Sequence, residues 1–243
     1  MTLFPADCEI PVRRLVNLWI AEGLVNQSDG NQETLEGKAE THLEDLTKCN
    51  MIQAVALKFN GKIKTCRLPS MLREIILADR ASHIQYSGTN VERRFAYRFD
   101  DCSLDANSAN VFSKTNIPLF IFFFDKREGC KPGEHIGRIV STGIAKEQFK
   151  EIIVLDLERV FRPQLPDNLG KLIHLKYLGL RWTYLEELPS FIGKLENLQT
   201  LDVKHTCIRI FPSFIWKLKK LKNLYLNQDY GSRLEGDETN AWT

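Results

Sequence analysis

Apolar residues recur with helical spacing near the start of the chain and predict two helices. Pro11 suits the first turn of the first helix, and Gly23 suits its end. The apolar stripe of this helix follows the i, i+3, i+4, i+7, i+8 pattern and comprises Val12, Leu15, Val16, Trp19 and Ile20. The same type of spacing marks a second helix at Leu35, Ala39, Leu43 and Leu46.

A hairpin and a third helix follow. Two segments, Met51 to Phe59 and Ile63 to Leu68, flank an Asn60-Gly61 dipeptide, which is the strongest short signal for a hairpin. After Pro69, a third helical segment has an apolar face formed by Met71, Leu72, Ile75 and Ile76. The order helix, helix, hairpin, helix predicts a winged-helix domain over residues 1–82, with a linker over 83–94.

Many winged helices read DNA, and this alternative can be weighed by charge. The helix before the hairpin would enter the major groove. From Glu33 to Lys48, this segment carries five negative and two positive charges. Phosphate contacts demand the opposite sign. The hairpin contains four basic residues, but a basic hairpin is more often a solvated surface. A DNA-binding regulator is therefore the alternative hypothesis, and no nucleic-acid partner is expected.

A repeat of 23 residues begins at about residue 152. Each unit has the pattern L-x-x-L-x-L followed by further apolar positions, which is typical of leucine-rich repeats. Single units cannot bury this apolar face, so stacked neighbours must do so. The predicted fold class is α/β with a mixed α+β start, in which a short leucine-rich-repeat solenoid occupies residues 95–243. The repeat weakens at both ends: in the first unit Val160 stands at a polar ladder position and Arg162 at an inward apolar position, and in the last unit Gly231 takes the inward position.

The outward strand positions would form ladders on an open face. One ladder is Asp156, Gly179, Asp202, Tyr225, and the next is Glu158, Arg181, Lys204, Asn227. Trp182 and His205 lie beside the second ladder. Aromatic and Arg side chains on such a face suit a protein-binding surface, so these residues, apart from Gly179, are the candidate contact residues. The alternative is that they are ordinary exposed strand residues. Residues 171–222 contain ten Lys or Arg and four Asp or Glu, which would favour an acidic partner unless these charges are merely solvated.

Composition adds few constraints. The chain is 43% hydrophobic and 26% charged, and its net charge is +2, so no general attraction to nucleic acid or acidic membranes is expected. Its six cysteines form no Cys-x-x-Cys pair, and no signal peptide precedes them, which favours reduced thiols in a cytoplasmic protein. The apolar run Ile117 to Phe124 is too short to span a bilayer and suits a strand buried on both faces.

Motifs for catalysis are not found. Gly170-Lys171 and Gly193-Lys194 lack the upstream glycine and the following Ser or Thr of a phosphate loop, and their spacing assigns them to the repeat. The five histidines have no partners at metal-site or triad spacing. We therefore expect no enzymatic activity and no metal.

Both ends of the chain resemble one family, the plant nucleotide-binding leucine-rich-repeat disease resistance proteins of the coiled-coil class. The resemblance lies in FPADCEIPVRRLVNLWIAEGLV (4–25), AETHLEDLTKCNMIQ (39–53), FNGKIKTCRL (59–68), VERRFAYR (91–98), FKEIIVLDLE (149–158) and the LP-x-x-I-G-K-L-x-x-L repeats. Residues 99 to 148 match only loosely. The resemblance implies a cytosolic plant-defence receptor that recognises a pathogen effector or a host protein through its repeats, or pairs with a full-length receptor.

The resemblance also implies an ADP/ATP-binding core, and this chain departs from the family there. Met1 lies three residues before the resemblance starts, so we expect the nucleotide-binding half to be missing. By alignment, Leu68, Pro69 and Ser70 replace the family's Met-His-Asp nucleotide sensor. Proline offers no donor and serine no charge. We therefore expect no bound cofactor and a truncated protein that acts by protein contacts; a nonfunctional gene fragment is a further hypothesis.

Overall fold

The chain folds into two compact units, Met1–Glu92 and Arg93–Thr243. The computed structural model describes residues 1–6, 8–25, 33–86, 93–99, 117–125, 132–210 and 212–227. The division between the two units falls within the interval predicted as a linker, 83–94. The third helix nevertheless continues to Tyr86, and the first strand of the second unit begins at Arg94.

The first unit has the predicted order of helices and hairpin, preceded by one short strand. Its elements are β1 (Ile10–Pro11), α1 (Val12–Glu22), α2 (Leu35–Lys48), β2 (Gln53–Leu57), β3 (Ile63–Arg67) and α3 (Ser70–Tyr86). The three strands form an antiparallel sheet in the order β1-β3-β2. Strand β1 was not predicted because two residues are too few to show alternation.

Helix α1 ends as its sequence predicts. Gly23 has a left-handed backbone (φ 80°), and its N–H donates to the Ile20 carbonyl at 3.1 Å. The Leu24 N–H donates to the Trp19 carbonyl at 3.0 Å, which completes a Schellman motif. The buried surface of α1 is wider than the predicted stripe, since Arg14, Asn17 and Leu18 are buried as well. The buried residues of α2 are Ala39 and Leu43.

The hairpin forms where Asn60-Gly61 predicts it, but its loop is longer than two residues. The last strand pair is Leu57 with Ile63, and the Lys58 N–H donates to the Lys62 carbonyl at 2.8 Å. Gly61 takes the positive φ of 79° that the turn requires. The predicted strand Met51 to Phe59 is therefore shortened at both ends.

The apolar face predicted for α3 is exposed in part, since Leu72 and Ile76 are half-buried while Met71 and Ile75 are open to solvent. Met71 is 75% exposed and Ile75 is 56% exposed. The periodicity correctly predicted a helix, but it gave no information on whether the apolar face meets a neighbour.

The second unit is built on a parallel sheet of six strands in sequential order. They are β4 (Arg94–Phe99), β5 (Phe120–Asp125), β6 (Val154–Asp156), β7 (Tyr177–Gly179), β8 (Thr200–Asp202) and β9 (Asn223–Tyr225). From β6 onward, each strand pairs with the next at a register of 23 residues, as the repeat predicts. The apolar run forms a strand that is buried on both faces, as predicted. Successive side chains alternate between the two faces of the sheet, and all of Phe120, Ile121, Phe122 and Phe123 are buried.

The core of the second unit lies behind this sheet. The inward leucines of β6 to β8 pack against the return segments, which contain 3-10 helices at Asp167–Lys171, Ser190–Lys194 and Ser213–Lys217. Helix α4 (Pro132–Ala145), which was not predicted, covers the start of this layer with Ile136, Ile139, Val140 and Ile144. The strand leucines Leu155, Leu178 and Leu201 are fully buried, whereas Leu221, Leu224 and Leu226 of the last repeat are partly buried. Arg162 is exposed, in keeping with the predicted loss of the pattern there.

Two glycines allow α4 to approach the backbone of the first repeat closely. A Cβ atom at Gly133 would lie 1.9 Å from the Arg162 carbonyl oxygen, and one at Gly137 would lie 2.4 Å from the Gln164 carbonyl oxygen. The Gln164 N–H also donates to the Gly133 carbonyl at 3.0 Å. Because both neighbours are backbone atoms, relief of a clash would require the helix to move.

Gly137→Ala is expected to destabilise the protein by about 1–3 kcal/mol, because the added methyl overpacks a rigid contact. Helix propensity alone predicts the opposite, a gain of about 1 kcal/mol. Urea unfolding followed by circular dichroism measures the difference. Arg138→Ala is the matched control, since Arg138 is the next residue of the same helix and is exposed. Equal or greater stability of Gly137→Ala would contradict this packing.

The described cysteines differ sharply in exposure. Cys66 on β3 is fully buried and donates to the Ile10 carbonyl at 3.6 Å, and burial raises the pKa of its thiol to about 11. Cys49 and Cys207 are exposed. Thiolate is the reactive form, so both access and ionisation disfavour reaction at Cys66.

At pH 8, iodoacetamide is expected to modify Cys49 and Cys207 within minutes and to leave Cys66 unmodified until the protein unfolds. Peptide mass spectrometry with and without urea measures each site separately. Modification of Cys66 at the rate of Cys49 in the folded protein would show that β1 does not cover it as the structure has it.

Candidate functional site

Four aromatic side chains line the sheet edge at which strands β6 to β8 end. We call this set the aromatic rim: Phe161, Trp182, Tyr184 and His205. In a parallel sheet the carboxyl ends of neighbouring strands share one edge, so residues 23 positions apart become neighbours there. The rim follows two such columns, one through Arg159, Trp182 and His205, and one through Phe161 and Tyr184.

The first of these columns has an unusual backbone. Arg159, Trp182 and His205 all lie in the left-handed region, with φ of 70°, 59° and 61°. Left-handed non-glycine residues are uncommon, and here the turn after each strand imposes the same conformation on each repeat. The sequence contains no glycine at these positions that would have signalled such a turn.

Threonine hydroxyls stabilise these turns from beneath. Thr183 donates to the Leu180 carbonyl at 2.6 Å, and Thr206 donates to the Val203 carbonyl at 2.8 Å. Both threonines are buried, as is Val160, which occupies the same position in the preceding repeat. Valine has no hydroxyl with which to make the equivalent bond, as the sequence predicted. Asp229, the last member of this column, lies outside the described residues.

Ring contacts join neighbouring repeats along the rim. Trp182 stacks on His205 with centroids 3.9 Å apart and planes 16° apart. Phe161 and Tyr184 form a tilted pair at 5.7 Å. Trp182, Tyr184 and Phe161 are 37%, 45% and 48% exposed, respectively. Sequence reasoning selected Trp182 and His205 but missed Phe161 and Tyr184, although the 23-residue period places these two in one column as well.

The acidic members of the predicted contact surface are not exposed. Asp156, Glu158 and Asp202 are all buried, which corrects the interpretation that they are open strand positions. Carboxylates of Asp156 and Asp202 accept from the backbone N–H two residues on, at 3.0 and 3.1 Å. Between them on the same face is Gly179, where a Cβ would lie 2.7 Å from Asp156 Oδ1. These acids therefore contribute to the structure of the sheet face. A binding role for them stays a prediction.

The other predicted contact residues are partly exposed. Arg181 approaches Asp202 with its Nη1 atom 4.0 Å from Oδ2. Asn227 binds the preceding turn: its Oδ1 accepts from the His205 N–H, and its Nδ2 donates to the Thr206 carbonyl at 3.0 Å. Lys204 and Tyr225 are also half-buried. The exposed part of the predicted contact surface is thus smaller than expected and lies around the aromatic rim.

The junction from Leu68 to Ser70 serves as a helix start. Ser70 is the first residue of α3 and is exposed, while the Pro69 carbonyl accepts from the Arg73 N–H at 2.9 Å. A cavity of about 480 Å³ lies between α1 and α2, lined mainly by apolar atoms, and none of the three junction residues lines it. Among the described residues, no group of three His, Cys, Asp or Glu side chains could hold a metal ion.

The helix before the hairpin presents acidic groups, which disfavours contact with phosphates. Glu36, Glu40, Glu44 and Asp45 lie on α2. Glu40 also forms an ion pair with Lys62 of the hairpin at 2.7 Å, and this hydrogen bond raises the pKa of Lys62. Part of the positive charge of the hairpin is therefore already compensated by the acidic helix.

Comparison with known proteins supports both units. Residues 3–76 match the family model for the disease resistance protein winged helix domain, and residues 137–235 match the model for a leucine-rich repeat region. None of the helices in the described ranges is long and apolar enough to cross a bilayer.

Longer plant relatives give the same assignment. The chain is 30% identical to the probable disease resistance protein RXW24L of Arabidopsis thaliana, over 73% of this chain and 20% of that protein. It is 25% identical to the probable disease resistance protein RF45 of the same plant, over 74% of this chain and 18% of that protein. The ToMV susceptible protein tm-2 of Solanum lycopersicum is 38% identical over 30% of this chain and 9% of its own length.

The chain thus spans about a fifth of the length of the two Arabidopsis relatives. Its two matched domains occur in the order expected from the resemblance, and the structure has a hairpin-containing helical unit followed by a repeated parallel sheet. The chain belongs to the plant disease resistance proteins that combine this winged-helix domain with leucine-rich repeats.

Proposed function

We propose that this chain serves in plant defence as a protein-recognition module, with the aromatic rim of its repeats as the contact surface. In this proposal the stacked repeats form a short solenoid. The chain works in the cytoplasm by binding and not by catalysis, and its partner is a pathogen effector, a host protein or a receptor of the same family. The membership in the disease resistance family supports the defence context.

The single observation that carries the proposal is the exposure of Trp182 and Tyr184 on a rigid edge. Trp, Tyr and Arg dominate the energetic centres of protein interfaces. The turn beneath Trp182 is fixed by the Thr183 hydrogen bond, and its ring is held by the stack on His205. A side chain that is already ordered loses less entropy when a partner binds.

Exposed apolar side chains in the first unit are also consistent with action through contacts. Met71 and Ile75 of α3, with Leu57 and Phe59 of the hairpin region, are all more than half exposed. Exposed apolar side chains in this number favour a role in protein association. The acidic surface of α2 argues against DNA as the partner.

Trp182→Ala is expected to weaken capture of the partner by more than about tenfold, as truncation of a central aromatic contact does. The measurement is proximity labelling in leaf tissue with the chain fused to a biotin ligase, quantified against the wild-type chain. Trp216→Ala is the matched control, since Trp216 is 49% exposed and lies on the 3-10 helix Ser213–Lys217, away from the rim. If the two variants label the same proteins to the same extent as wild type, the rim is not the contact surface.

ADP titrated into the chain is expected to give no binding in the low-micromolar range by calorimetry. Pro69 has no side-chain donor, and its carbonyl is occupied by the Arg73 N–H, while Ser70 carries no charge. The double variant P69H/S70D restores the family's His and Asp, and it tests whether Pro69 and Ser70 alone account for the absence of ADP binding. A low-micromolar Kd for the wild-type chain would contradict the expectation.

A further inference from the structure

A second edge of the parallel sheet carries a concentrated positive charge that the aromatic rim does not share. Three turns lead into strands β7, β8 and β9, at residues 171–176, 194–199 and 217–222. We call them together the lysine edge. They contain seven lysines and one glutamate, a net charge of +6 with His neutral. The whole chain carries only +2, so the rest of the sequence carries −4.

Backbone and side-chain hydrogen bonds hold the three turns in one continuous row. The Gln199 N–H donates to the Lys176 carbonyl, and the Lys222 N–H donates to the Gln199 carbonyl, both at 2.8 Å. Asn197 donates to the Ile173 carbonyl at 2.6 Å and accepts from Lys220 Nζ at 2.6 Å. Since neighbouring strands lie about 4.8 Å apart, charges repeat along this edge at short and regular intervals.

The charge of the lysine edge is not compensated within the described ranges. Six of its lysines take part in no ion pair there, and they are Lys171, Lys176, Lys194, Lys217, Lys219 and Lys222. Lys220 is bound to the neutral amide of Asn197. All except the half-buried Lys176 are exposed, and the single acid, Glu196, is exposed beside them. Like charges at this density repel one another, so an anionic partner would relieve an existing cost.

The residue type distinguishes between classes of partner. The edge contains lysine only and no arginine. Protein interfaces are enriched in Arg and depleted of Lys, whereas anionic lipid headgroups attract clustered lysines through diffuse electrostatics without a fixed geometry. Ile173 is 54% exposed within the row and offers an apolar group to the interfacial region.

From the lysine edge we propose that the repeat unit binds reversibly to the surface of anionic membranes. Each lysine near such a surface contributes modestly, and several together give peripheral attachment that salt weakens. Attachment through this edge would leave the aromatic rim, on the opposite border of the same strands, directed away from the lipid. The proposal is independent of which protein the rim binds.

The test is sedimentation of the full chain with vesicles of phosphatidylcholine alone or with 30 mol% phosphatidylserine. Binding is expected only to the anionic vesicles, and it should fall steeply between 0.1 and 0.5 M salt. The double variant K219Q/K222Q should bind at least about tenfold more weakly. The matched control, K58Q/K64Q, removes the same two charges from exposed hairpin lysines and should bind as wild type does.

Three outcomes would overturn the proposal. The first is the absence of binding to phosphatidylserine vesicles at 0.1 M salt. The second is an equal loss in both double variants, which would mean that net charge and not the lysine edge governs attachment. The third is binding of duplex DNA or polyglutamate that depends on Lys219 and Lys222 while anionic vesicles stay unbound. Circular dichroism of each variant establishes that the fold is retained.

Discussion

The leucine side chains of the second unit are buried from solvent only if neighbouring repeats stack in register. The other features of that unit depend on this constraint. One repeat has a three-residue strand and a short 3-10 return, which is too little to enclose its own apolar residues. Stacking at the 23-residue register buries Leu155, Leu178 and Leu201 completely. Helix α4 closes the first end of this core, and its two glycines let it approach the backbone of the first repeat.

The same register creates two chemically different borders from one sequence period. Residues before each strand align on one edge and residues after each strand align on the other. Lysines align along the first edge, and aromatic rings align along the second. The turns that carry these rings are held by the hydrogen bonds of Thr183 and Thr206. Neither border exists in a single repeat. The charge of the lysine edge and the aromatic character of the rim are therefore built up from successive repeats. A substitution in one repeat changes one member of such a row.

The sequence predicted those parts of the fold that depend on local periodicity. The helix end at Gly23, the hairpin at Asn60-Gly61 and the strand register from β6 onward all follow from short patterns. The exposure of Met71 and the burial of Asp156 could not be predicted. Periodicity assigns a residue to one face of a helix or strand, but it does not show whether that face is exposed to solvent. The contacts of Gly133 and Gly137 depend on backbone brought together from about 30 residues away, which no local pattern encodes.

For the candidate site, sequence reasoning identified only part of the exposed aromatic border. It placed Asp156, Glu158 and Asp202 on the same contact surface as Trp182. In the structure these acids are buried, whereas Trp182 is exposed. Phe161 and Tyr184 were detectable from the period, but they were missed because their column lies beyond the L-x-x-L-x-L core. Columns immediately after the strand are therefore as informative as those within it.

The left-handed backbone at Arg159, Trp182 and His205 restricts how this surface can diversify during evolution. A β-branched residue in that conformation is strained, whereas Asn, Asp, His and Gly are tolerated there more readily. Substitutions at these positions therefore draw on a reduced set of amino acids, from which Val, Ile and Thr are effectively excluded. New binding specificities along this border would arise more easily by exchange among polar and aromatic residues than by the introduction of branched aliphatic ones.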